Sequence, residues 1–146
     1  MAYDIYFSIT DVDTQLNTGQ LFTFGFTSAV GVQGPQKLVN RWVHCFLTPK
    51  GSDPLDLGYG TECAGLIGSN TPSVRDAVDA LALYIDDCNE QITAIDRRIF
   101  PPDNERLQSA ELVKVVLLEP DGLQAYVEIK NIAGQKVTLP LPAIGH

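Results

Sequence analysis

The chain is short of positive charge: ten Lys and Arg stand against eighteen Asp and Glu in 146 residues, a formal net charge of −8. The basic residues are scattered, with Arg97-Arg98 the nearest approach to a cluster. A duplex-binding protein needs a patch that neutralises several phosphates, and an anionic membrane surface asks for the same material. Neither nucleic acid nor membrane is therefore expected as a partner. No apolar run approaches the roughly 18 residues that cross a bilayer. Met1-Ala2-Tyr3-Asp4 has neither the basic start nor the apolar stretch of a secretory signal, so secretion is not expected. Histidine is scarce, with only His44 and His146, so zinc would lack nitrogen ligands and no Ser-His-Asp set assembles. Cys45, Cys63 and Cys88 are odd in number and unrelated in spacing. They read as reduced, buried, structural thiols of a reducing compartment.

What is present suits one domain: 45% hydrophobic residues in a length that buries roughly 68–70% of its unfolded surface. Tyr3, Ile5, Phe7 and Ile9 alternate with polar residues, as do Phe22, Phe24 and Phe26, which predicts a strand–turn–strand hairpin. Glycines and a proline at 29–35 end it. Val39, Trp42, Val43 and Phe46 then recur at helical spacing until Thr48-Pro49 stops the helix. A turn-rich loop follows to Gly60, then a short helical piece around Cys63, Leu66 and Ile67. Val74, Val78, Leu81, Ile85, Cys88, Ile92 and Ile95 form the strongest pattern, a seam with steps of four and three, which Thr71 would cap with Pro72 at its first position. Leu112–Leu118 reads as a central strand, apolar on both faces except for Lys114. Turns at Glu119–Gly122 and Ala133–Gln135 separate it from two more strands. The fold class expected is α+β: two main helices packed on an antiparallel β-meander, with an N-terminal β-hairpin extension. Residues 1–35 form the arm and linker, and 36–146 the globular core.

No chemistry emerges from the motifs. Asp11–Asn17 alternates oxygen ligands, but a calcium loop needs Gly and Glu where Leu16 and Phe22 stand. Gly25, Gly31 and Gly34 lack the Gly-Lys-Ser/Thr of a phosphate loop. His44 and Cys45 diverge by about 100° on a helix and do not face each other. Glu62 with Asp53 or Asp56 is the one carboxylate set near apolar residues, and a glycosidase needs such a pair at a defined separation. Solvated loop acids explain them more simply. No catalytic, metal or cofactor-binding residue is assigned.

Leu47-Thr48-Pro49-Lys50-Gly51 at the helix exit, Leu57-Gly58-Tyr59-Gly60-Thr61 closing the loop, and Ile95-Asp96-Arg97-Arg98-Ile99 ending the long helix come in a telling order. Over about 85–100 residues this resembles the small baseplate wedge proteins of contractile phage tails and type VI secretion systems, a family labelled "lysozyme-like". Its hallmarks are a Leu-Thr-Pro-x-Gly helix exit, a Pro-x-x-Gly-type loop and a Glu-Pro-Arg motif before a β-meander. Asp96 and Arg98 stand at the motif's acid and arginine, with Arg97 in place of its proline. Ser52-Asp53 replaces the acidic–basic pair that usually follows the exit glycine.

The resemblance implies a non-enzymatic virion subunit, assembled in the bacterial cytoplasm, that links the inner wedge to the tail sheath by protein contacts and strand addition. Its partners would be other wedge subunits and the sheath protein. The partner-binding residues it suggests are Asp96, Arg98 and Tyr59, with the aromatic hairpin residues Phe22, Phe24 and Phe26 as apolar surface in need of cover. A peptidoglycan-cleaving muramidase and another small tail completion or connector protein are the rival readings.

Overall fold

A computed structural model describes residues 6–8, 23–25, 33–66, 73–118, 122–141 and 144–145, the first two stretches and the last as backbone. Phe22, Phe26, the Asp11–Asn17 turn, the Thr71-Pro72 cap and the Glu119–Asp121 part of the expected turn lie outside them. The architecture is α+β. Two short strands, β1 (Tyr6–Ser8) and β2 (Thr23–Gly25), pair antiparallel with Phe7 opposite Phe24. Helix α1 (Pro35–Leu47), the single turn α2 (Cys63–Leu66) and the long helix α3 (Val74–Ile99) follow. A 3-10 turn at Asp103–Glu105 leads into β3 (Leu107–Leu118), β4 (Gly122–Asn131) and β5 (Lys136–Pro140), an antiparallel meander; β6 (Ile144–Gly145) pairs with the start of β4. No helix among the described residues is long and apolar enough to cross a membrane.

The heptad-like seam forms the inner face of α3. Leu81, Ile85, Cys88 and Ile92 are buried against the sheet and α1, while Val74, Val78 and Ile95 at its ends are partly covered. Ser73, not Thr71, is the residue capping α3: its hydroxyl oxygen accepts the Asp76 N–H at 3.2 Å. The Ser73 hydroxyl thereby satisfies one of the free N–H groups of the first turn, and it donates in turn to Asp76 Oδ2 at 2.7 Å. From α1, Trp42 and Phe46 stack with ring centroids 5.0 Å apart and are fully buried. The Trp42 indole N–H donates to Asn89 Oδ1 (2.9 Å), and Asn89 Nδ2 donates to the Ala110 carbonyl (2.8 Å). One amide thus joins α1, α3 and β3, leaving neither polar group unsatisfied in the core. All three cysteines are buried and unpaired.

The strand reading needs two corrections. β3 starts at Leu107, five residues before the expected Leu112, because Gln108, Ser109 and Glu111 dilute the apolar signal there. Among the described residues it is also an edge strand: the order is β3-β4-β5, and β4 is central, burying Leu123, Ala125, Val127, Ile129 and Asn131 alternately. Register shifts at Leu107/Ser109 and Leu112/Lys114 interrupt β3. Leu112–Leu118 is apolar on both faces without being covered on both: Val113, Leu117 and Leu118 are 50%, 62% and 38% exposed. Leu117 is the register partner of buried Leu123, so the core-side face of β3 runs on past its cover.

Truncating the seam should leave a cavity as well as lose transfer energy. Leu81→Ala or Ile85→Ala is expected to destabilise the chain by about 2–5 kcal/mol in denaturant melts followed by circular dichroism. Wild-type stability in both would overturn the packing assignment.

Candidate functional site

The polar residues with the most determinate surroundings lie where α3 ends. Asp96 follows the seam's spacing from Ile92 and is therefore turned inward, only 4% exposed. Its Oδ1 accepts a hydrogen bond from the Arg41 guanidinium of α1, and its Oδ2 accepts the Leu107 N–H at 2.9 Å. Arg41 also donates to the Glu105 carbonyl at 3.2 Å. Glu105, itself buried, accepts the Gly34 N–H on Oε1 (3.0 Å) and pairs with Lys37 Nζ through Oε2 (3.3 Å). Burial alone would raise the Glu105 pKa. The Gly34 N–H and the Lys37 ammonium outweigh it, and the carboxyl sits below its usual 4.5.

Asp96 therefore has a different place from the one expected of it. It is an internal tie rather than a surface acid steering Arg98. Arg98 is exposed and, like Arg97, forms no ion pair among the described residues. Beyond it Phe100 ends the helix in the left-handed region at φ 45° and is 75% exposed, with its N–H on the Asp96 carbonyl. Ile99 and Ile132 are exposed beside it in sequence and across the β4–β5 turn.

Tyr59 is half-buried, and its hydroxyl lies 2.9 Å from His44 Nδ1. Burial, with the nearby thiols, raises its pKa. The loop carrying it is pinned at its neck. Thr48 and Lys50 hydrogen-bond to Thr61 backbone groups, and Gln91 of α3 both accepts the Gly60 N–H (3.0 Å) and donates to its carbonyl (2.9 Å). Gly60 has φ 101°, and a Cβ there would lie 2.3 Å from the Thr48 oxygen, so only glycine fits. Of the aromatic arm, Phe24 is placed by its backbone alone. No hydrogen bond or ion pair joins Tyr59, Asp96 and Arg98 to one another among the described residues.

The carboxylates considered for hydrolysis are also dispersed. Asp53 accepts the Leu55 N–H and Asp56 the Gly58 N–H, which shapes the loop. Glu62 is exposed on an open cleft with Lys50 and Tyr84, which neither aspartate lines. No group of three or more potential ligands could hold a metal ion among the described residues. No protein-family model matches the chain, and no curated protein matches it.

Sequence reasoning found Asp96 and Arg98 but missed Arg41, Lys37, Glu105 and Phe100. The signal for Phe100 was available: an aromatic residue before Pro101-Pro102, where the helix must stop and a helix-ending glycine is usual. Arg41 and Glu105 carried none, because only the packing of α1 brings them to Asp96.

Two outcomes follow for this tie. Asp96→Asn leaves Arg41 without its counter-charge and should cost roughly 3 kcal/mol, the low end for a broken buried pair because Arg41 keeps some solvent; chemical denaturation measures it. A depressed folded pKa means that Glu105 contributes its stability above pH 4.5 and loses it as pH falls through the lower folded value. Melting temperature should therefore drop on acidification below that point, and less steeply in Glu105→Gln. Equal slopes would show the network is not formed.

Proposed function

We propose that this chain is a structural, non-enzymatic subunit of a contractile phage tail baseplate, joining the inner wedge to the sheath by protein contacts and strand addition. One observation carries the reading. β3 pairs only with β4 among the described residues and leaves apolar Val113, Leu117 and Leu118 exposed along its outer half. An unpaired strand edge with uncovered apolar side chains is a template for a strand from another chain. The sequence resemblance supplies the assembly in which that edge would be used. In this reading residues 36–146 are the wedge-like core, in which α1 and α3 pack on the meander. The N-terminal hairpin of residues 1–35 is an arm added to it. Its partners are wedge subunits and the sheath protein, and its place is the virion, after assembly in the host cytoplasm. Arg98, exposed and without an ion pair among the described residues, offers its planar fork to a carboxylate or carbonyl of a neighbouring subunit.

The test is assembly. Leu117→Lys and Leu118→Lys place a charge on the edge without touching the core, so the isolated chain should stay within about 0.5 kcal/mol of wild type. Particles made with either variant should contain fewer complete baseplates in electron micrographs, and Arg98→Lys should lower incorporation without changing stability. Normal assembly in all three, a cryo-EM map that leaves the chain outside the baseplate, or peptidoglycan cleavage abolished by Glu62→Ala would each sink the proposal.

A further inference from the structure

We infer that the groove at the C-terminal end of α3 docks a segment of a partner protein that inserts an aliphatic side chain beside a carboxylate. The starting observation is Phe100. A bulky L residue in the left-handed region is disfavoured, and the position after a helix is one where glycine is the ordinary choice. Phe100 takes that conformation to close the helix, with its N–H on the Asp96 carbonyl, yet the residue is 75% exposed, so the turn accounts for the backbone and not for the aromatic side chain. Strain held at an exposed aromatic residue points to a surface that acts on something else. Ile99 and Ile132, 58% and 47% exposed, extend the apolar surface around it.

The groove beside Phe100 has a volume of about 220 Å³, and Thr93, Arg97, Arg106, Leu107 and Ile132 line it. That is below the roughly 300–1,000 Å³ of small-molecule pockets and suits a single side chain. Its charge decides the neighbour of that side chain. Among the described residues, Arg97 on the wall has no ion pair and the buried Arg106 Nε has no hydrogen-bond partner. Arg106's other nitrogens reach the Pro101 carbonyl (2.9 Å) and Asp103 (3.6 Å). Asp96, which also borders the groove, is occupied by Arg41 and the Leu107 N–H and neutralises neither arginine. Arg106 is paired with Asp103, so Arg97 is the arginine of the wall left without an ion pair among the described residues, a local positive charge beside an apolar floor within a chain of net charge −8. A carboxylate flanking an aliphatic side chain complements both parts, and an aromatic anchor with arginines at its margin is the usual composition of a binding hot spot. The site is separate from the β3 edge and does not require the baseplate reading.

The full chain is titrated with a dye-labelled hexapeptide of alternating Glu and Leu, with an alternating Lys and Leu hexapeptide as control, and methyl resonances are followed by NMR. The Glu–Leu peptide should move the Ile99 and Ile132 methyls and bind at least about tenfold more tightly than the control. Phe100→Gly and Arg97→Glu should each weaken it by a similar factor. Phe100→Gly should also melt at or above the wild-type temperature, since it relieves the backbone, so its loss of binding cannot be unfolding. No methyl shift up to millimolar peptide, equal binding of the two peptides, or unchanged binding by Phe100→Gly overturns the inference. So does a wild-type chain that sediments as a dimer with the Ile132 methyl moving with its own concentration, because the groove then belongs to a second copy.

Discussion

The buried carboxylate of Asp96 is the constraint around which this fold is arranged. A charge taken out of water costs several kcal/mol unless its oxygens are satisfied. Here one oxygen takes Arg41 from α1 and the other takes the Leu107 N–H at the start of β3. Helix α1, 55 residues back along the chain, must therefore meet α3 and β3 at one point, and only one relative placement of the three does so. The pair need not add net stability over an apolar replacement. What it specifies is the axial position of α3, since sliding the helix by one turn would strand the carboxylate against hydrocarbon. Glu105 extends the same logic: by accepting the Gly34 N–H it caps the arrangement from the entry to α1.

From that anchor the exposed features follow. Because Asp96 must face inward, Arg97 and Arg98 next to it fall on outward faces of the last turn, about 100° and 200° away. Phe100 then has to reverse the chain within a few residues so that Leu107 can return to Asp96. Pro101 and Pro102 hold the reversal open and the 3-10 turn completes it. The left-handed Phe100 is thus a product of the tie, while its identity as an aromatic residue is not. Any glycine would close the same turn at lower cost, and that separation gives the residue its weight as a recognition element.

Much of this was legible in the chain and some was not, for identifiable reasons. The seam of α3 was readable because a helix packed along one face imposes the four–three spacing directly on sequence. β4 was readable because a half-buried strand imposes alternation. β3 was misplaced as central because apolar residues on two faces signal low polarity, not what covers it, and an edge strand with apolar side chains reads like a buried one. The Asp96–Arg98 neighbourhood was recognised by motif, but a motif does not say which residue points in. The seam's spacing turns Asp96 inward, but the charge that satisfies it there comes from Arg41, 55 positions earlier, a pairing that no local pattern encodes.

The uncovered strand is itself guarded in part. Register shifts near Ser109 and Lys114 break the regularity of β3, and bulges of this kind twist an edge away from indiscriminate pairing. Glu111 and Lys114 add charge to the same stretch, with Lys114 lying over the Tyr126 ring. Past Lys114 the pairing with β4 is continuous through Leu118, and the side chains turn apolar. Protection is therefore strongest in the first half of the strand and weakest in the last four residues. An edge built only to stay solitary would place its charge and irregularity at the apolar end, where the aggregation hazard is greatest. The opposite distribution leaves only a short segment open to pairing, which suits the strand addition proposed above, while the guarded first half resists open-ended stacking.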